Sequence, residues 1–121
     1  MPKILIVEDD PFLLKMYAKK LQVEGFEVEI AKDGEEGLAK FKSFLPDLVL
    51  LDVMLPKLNG LEVIERVKAD PETQSIPILV LSNLSATADT ETAVKKGAVG
   101  YLIKSNYTPS QVIDKVKGFL K

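Results

Sequence analysis

Four places along this 121-residue chain carry side chains able to do chemistry: Glu8-Asp9-Asp10, Asp52, Ser82 and Lys104. The chain holds no His and no Cys, which excludes imidazole and thiolate ligands, Ser-His nucleophiles and disulfides. Carboxylate, hydroxyl, amine and hard-cation chemistry remain. Three carboxylates gathered at one rim repel one another and are stable together only if something cationic enters. Magnesium suits such a set best, because it takes oxygen ligands, keeps several waters and is held by one or two carboxylates together with phosphate oxygens. With that metal beside it, Asp52 can serve as a carboxylate nucleophile toward a phosphoryl group. The Lys104 ammonium would then neutralise charge on the equatorial oxygens, while the Ser82 hydroxyl and backbone N–H groups donate hydrogen bonds.

Each of these positions ends a short apolar run. Ile4–Val7, Leu48–Leu51 and Ile78–Leu81 are continuous rather than alternating, as expected of strands buried on both faces, and residues 100–103 form a fifth strand. Val28 and Ile30 alternate with Glu27 and Glu29, which places the second strand at a sheet edge. Helix-period segments separate the strands. Asp10-Pro11 opens the first helix, with Leu14, Tyr17, Ala18 and Leu21 on one face and Gly25 at its end. The second runs from about Gly34 to Phe44, with Leu38, Phe41 and Phe44 or Leu45 inward. The third surrounds Leu61, Ile64 and Val67. The fourth, over about residues 86–96, is the weakest, with only Ala88, Ala93 and Val94 as apolar material. Thr108-Pro109 opens the last, whose Val112, Ile113, Val116, Phe119 and Leu120 keep the 3.6 period. Alternating strands and helices predict an α/β doubly wound parallel sheet of five strands with helices on both faces. Ligands of such sheets bind beyond the carboxyl ends of the strands, where Glu8, Asp9, Asp52, Ser82 and Lys104 fall.

Some of these residues have simpler uses. Asp10 before Pro11 reads as a helix N-cap, as does Asp33. Glu8 and Asp9 come too early to cap comfortably, and no helix follows Asp52 until about Gly60.

The length suits one domain over residues 1–121. Sixteen Lys and Arg against 18 Asp and Glu give a net charge of −2, and no basic stripe suggests direct nucleic-acid binding. No apolar run approaches a membrane span or a signal peptide, so a cytoplasmic protein is expected.

The chain resembles the receiver domain of two-component response regulators. The carriers are Ile4-Leu5-Ile6-Val7-Glu8-Asp9-Asp10, Leu50-Leu51-Asp52-Val53-Met54-Leu55-Pro56 with Asn59-Gly60, Ser82, and Tyr101-Leu102-Ile103-Lys104. All four, in order and at this spacing, are highly specific. The resemblance implies a flavodoxin-like 2-1-3-4-5 sheet, Mg²⁺ bound by Asp9, Asp52 and the Met54 carbonyl with Glu8 acting through water, and phosphorylation on Asp52. It implies a histidine kinase or His-phosphotransfer protein as donor. It further implies a switch in which Ser82 turns toward the phosphate and Tyr101 moves inward, remodelling the face of the fourth helix, fifth strand and last helix for an output protein. A stand-alone regulator, monomeric or dimerising on phosphorylation, is expected because no effector domain follows Lys121, with a piece of a larger regulator as the alternative. Three departures stand out. Ser105 replaces the usual proline after the lysine, Asn83 stands where a very small residue is usual, and Met54 and Leu84 are apolar where the family often orients an attacking water. The last predicts slow self-dephosphorylation. The first two motivate an alternative, a degenerate receiver that docks partners without phosphorylation. A flavodoxin-type phosphate loop conflicts with Glu8-Asp9-Asp10, and a haloacid-dehalogenase-type site lacks an acid at Met54.

Overall fold

The computed structural model describes residues 2–55, 57–83 and 87–120. Its elements alternate as β1 (Lys3–Val7), α1 (Pro11–Val23), β2 (Glu27–Ala31), α2 (Gly34–Phe44), β3 (Leu48–Asp52), α3 (Gly60–Ala69), β4 (Ile78–Ser82), α4 (Thr87–Lys95), β5 (Gly100–Ile103) and α5 (Pro109–Phe119). Every pairing is parallel and the order is β2-β1-β3-β4-β5, the doubly wound arrangement expected. Pro56, Leu84 and Ala86, and the side chain of Ala88, lie outside the described residues.

The apolar runs are continuous because each strand meets helices on both faces. Leu5, Val7, Val49, Leu51, Ile78 and Val80 pack against Phe41 of α2, Val63, Ile64 and Val67 of α3 and Ala93 of α4. The alternate residues Ile4, Ile6, Leu48, Leu50, Leu79 and Leu81 pack against Leu14, Tyr17 and Leu21 of α1 and Val112, Ile113 and Val116 of α5. Side chains of successive strand residues point to opposite faces, so one run serves two cores. β2 takes the edge, with Ile30 partly exposed.

Helix starts follow the sequence closely. The Asp10 carboxylate accepts from the Phe12 and Leu13 N–H groups, Asp33 from Glu36 N–H, and Asn59 from Glu62 N–H. Thr108 and Gln111 form a reciprocal capping box on α5. One inward assignment, Phe119, differs, and the choice between Phe44 and Leu45 falls to Phe44. Leu45 adopts a left-handed conformation (φ 48°) as it terminates α2 and is exposed, leaving Phe44 to pack on the core. Phe119, at the end of α5, and Val94, on α4, are also exposed. Thr90 is buried on α4 instead, a hydroxyl residue that a hydrophobic pattern does not register.

Candidate functional site

Register brings the chemistry together. Val7 pairs with Leu51, so Glu8 and Asp52 leave neighbouring strands side by side. Ser82 is level with Ile103, which puts Lys104 one residue beyond it at the same carboxyl edge. The Glu8 N–H bonds to Ala31 O at 3.0 Å, anchoring the start of that loop to β2. Asp52 is held on both sides: its Oδ1 accepts from Met54 N–H at 3.0 Å and its Oδ2 from Lys104 Nζ at 3.0 Å. Lys104 Nζ also donates to Glu8 Oε1 at 2.6 Å, and Glu8 Oε2 accepts from Asp10 N–H at 3.3 Å. Glu8 is fully buried, Asp52 nearly so, and Asp9 exposed.

Carboxylate oxygens of Glu8, Asp9 and Asp52 all lie within 4.8 Å of one another. Fully ionised, they carry three negative charges against the one ammonium of Lys104. Burial, followed by the hydrogen bond and charge of Asp52, pushes the Glu8 carboxyl up to about 8, with Lys104 opposing. Burial alone would lower the Lys104 ammonium, but its bonds to Glu8 and Asp52 outweigh that and raise it. The donors are all hard oxygens in a half-open cluster, a set that fits a small divalent cation of the magnesium type.

Ser82 is buried at the same edge, and its Oγ has no hydrogen-bond partner among the described residues. Such an orphan is uncommon in a folded interior. Met54 exposes its side chain, and Tyr101 on β5 is 43% exposed. Asn83 is exposed, and Ser105 is exposed within a short 3-10 turn, Lys104–Asn106, that follows β5 through trans peptide bonds. Leu84 lies outside the described residues. One neighbour of the site escaped sequence analysis. Tyr17 faces the core as its helical spacing requires, but burial raises its hydroxyl, while the charge of Lys104 opposes and those of Glu8 and Asp52 add to the rise. Periodicity assigns the face of such a residue but not what stands above it.

Comparison with known proteins agrees with this geometry. A family model for the response regulator receiver domain matches residues 4–117. The DNA-binding dual master transcriptional regulator RpaA of Synechocystis is 36% identical over 121 residues, all of this chain and 50% of that protein. The phosphate regulon transcriptional regulatory protein PhoB of Rhizobium meliloti is 35% identical over 121 residues, covering 53% of its length. The chain thus spans about half the length of the curated relatives it matches. Among solved structures, the chemotaxis response regulator CheY4 of Vibrio cholerae superimposes with a TM-score of 0.88 at 30% identity, covering 98% of each chain. A CheY-like receiver domain protein from Methanospirillum hungatei gives 0.88 at 31% identity, covering 99% of this chain and 94% of that one. No helix among the described residues is long and apolar enough to cross a membrane. With the matched residues running from the first strand into the last helix, the chain belongs to the receiver domain family of two-component response regulators.

Proposed function

We propose that the domain is a phosphorylation-dependent switch whose acceptor is Asp52. The observation that carries this reading is the Lys104 ammonium set between Glu8 Oε1 at 2.6 Å and Asp52 Oδ2 at 3.0 Å, at a strand edge that also holds Asp9 and Ser82. Asp9, Asp52 and the Met54 carbonyl would hold Mg²⁺, with Glu8 acting through water. When bound, the ion neutralises charge on the phosphoryl oxygens.

The phosphoryl group passes from a phosphohistidine nitrogen of a partner kinase or phosphotransfer protein to an Asp52 carboxylate oxygen. The P–N bond breaks as the P–O bond forms, and its electron pair stays on the donor imidazole, which takes up a proton. Met54 N–H and Lys104 fix the rotamer of Asp52 before the donor arrives, so orientation is supplied in advance. Lys104, already charged, follows the new negative charge. The Ser82 hydroxyl, without a partner among the described residues, gains a phosphoryl oxygen as acceptor. A group of about −1.5 to −2 charge biases a two-state element, here Ser82 and Tyr101, and through them the α4-β5-α5 face that meets an output protein. Exposure of Tyr101 fits an outward resting rotamer on that face. Apolar Met54 offers no group to orient an attacking water, in keeping with slow self-dephosphorylation.

The test is to incubate the protein with Mg²⁺ and acetyl phosphate and weigh it. One added phosphate is expected in wild type and none in Asp52→Ala. Failure of wild type to gain phosphate from both the small donor and its cognate kinase would leave the phosphorylation-independent docking module as the better reading. A phospho-form lifetime of seconds in Mg²⁺ would overturn slow self-dephosphorylation alone.

A further inference from the structure

Outside the strand edge, a groove of about 580 Å³ lies between α2 and α3, closed at one end by the loop that leads from Asp52 to α3. Its volume lies within the range of small-molecule sites, roughly 300–1,000 Å³. The floor is apolar: Leu38 and Ala39 of α2, the wholly buried ring of Phe41, and Leu58 from the loop. The rim is charged, and its charges are not equally engaged. Lys42 pairs with Asp70 at 2.8 Å. Lys57, held at φ 67° in the left-handed region that few non-glycine residues occupy, lies 3.7 Å from the Asp33 carboxylate. Arg66 is exposed on α3 and has no ion-pair partner among the described residues. The wall is also firm. A Cβ on Gly34 would lie 1.7 Å from Leu58 O, so the α2 N-terminus and the loop are in direct backbone contact.

We infer that this groove binds a small organic monoanion, a carboxylate carried on a flat apolar body. The apolar part rests on Leu38 and Leu58, and the carboxylate meets the Arg66 guanidinium, whose planar fork of donors matches its two oxygens. Charge complementarity limits the ligand to one negative charge. Of the three lining cations, two already face carboxylates, and Glu35 and Asp70 also line the groove. A doubly charged phosphate would therefore face two acids with a single uncommitted cation. The floor and the guanidinium favour an amphipathic molecule over a plain anion, since acetate would leave the apolar surface wet.

The test is a titration of the ¹⁵N-labelled chain with 1-naphthoate, followed by amide shifts, with neutral 1-naphthamide as the uncharged counterpart. Saturable shifts are expected at Leu38, Ala39, Leu58 and Arg66, with naphthamide at least about tenfold weaker. Arg66→Gln, at an exposed position whose own spectrum reports that the fold is intact, should weaken naphthoate about tenfold and leave naphthamide unchanged. Absence of saturable shifts, equal binding of acid and amide, retention of naphthoate affinity in Arg66→Gln, or shifts confined to another face would each overturn the assignment. Inorganic phosphate binding the groove as tightly as naphthoate would also overturn it.

Discussion

Replacing Ser82 by alanine should make the resting domain more stable while weakening its response to phosphate. The Ser82 hydroxyl is wholly buried and has no hydrogen-bond partner among the described residues. Burial without a partner costs about 1–3 kcal/mol of desolvation. Removing the oxygen recovers that cost and leaves a void of at most about one water-sized probe, roughly 15 Å³. At about 24 cal/mol per Å³ the void costs only about 0.4 kcal/mol. The net gain is about 0.6–2.6 kcal/mol. Unfolding entropy near 2.1 cal/mol/K per residue, over 121 residues, converts each kcal/mol into about 4 °C. Thermal unfolding of Ser82→Ala, without Mg²⁺ or phosphodonor, should therefore show Tm raised by about 2–10 °C. The same substitution removes a donor that only a phosphoryl oxygen would satisfy. Tm should accordingly rise less on phosphorylation in the variant than in wild type. A variant less stable than wild type at rest would mean that the hydroxyl is bonded after all, and both halves of the expectation would fall.

Three further outcomes are expected. Mg²⁺ at about ten times its Kd should stabilise the chain by about 1.4 kcal/mol, and Asp9→Asn, which alters an exposed residue, should abolish that gain while leaving the metal-free Tm in place; thermal scans with and without Mg²⁺ decide it. Gly60→Ala should cost about 1–3 kcal/mol in urea unfolding, because its Cβ would stand 2.7 Å from Val53 Cα and 2.8 Å from Asp52 O, backbone atoms that cannot swing aside; a neutral result would show that the α3 N-terminus is looser than this contact requires. Lys42 and the backbone N–H of Glu72 hold Asp70 below its usual 3.8, so its contribution to stability is present above that value and disappears as pH falls through the lower folded pKa. Asp70→Asn should therefore be less stable than wild type near neutrality and converge with it below pH 3.8; an unchanged gap across acid unfolding curves would refute the pairing.

The fold and the site were legible to different depths, for physical reasons. Continuous runs such as Ile4–Val7 and Leu48–Leu51 announce strands covered on both faces, and the caps Asp10, Asp33 and Thr108 announce where helices begin, because each feature satisfies a need within a few residues of itself. Register across a parallel sheet is not local. The bond from Lys104 to Glu8 spans 96 positions and that to Asp52 spans 52, and only the rule that ligands gather at strand carboxyl ends let the three be grouped from sequence. What that rule could not supply is burial. Glu8 is completely enclosed, whereas Asp9, its neighbour, is open to solvent, and two adjacent acids cannot be told apart by composition. One helix end was misjudged for a related reason. Phe119 continues an inward period at the last turn of α5, where its side chain is exposed, whereas the choice between Phe44 and Leu45 at the end of α2 is decided by Leu45 turning left-handed.

The same contrast separates what holds the domain together from what lets it respond. Its core is built mostly of buried apolar side chains, and those are the residues that patterning reads well. The strand edge is built of groups whose needs are incompletely met: a buried hydroxyl without a hydrogen-bond partner among the described residues, and a buried acid pushed up to about 8 beside a second carboxylate. Each is a local cost that the fold tolerates because the surrounding sheet is paired on both sides. Under the proposed function, each would also be relieved by the same incoming species, a cation and a phosphoryl group arriving together. A site in which two unrelated deficits share one remedy is poised toward that remedy. Stabilising variants of this domain should therefore concentrate at Ser82 and its neighbours, and should be the variants that respond least to phosphorylation.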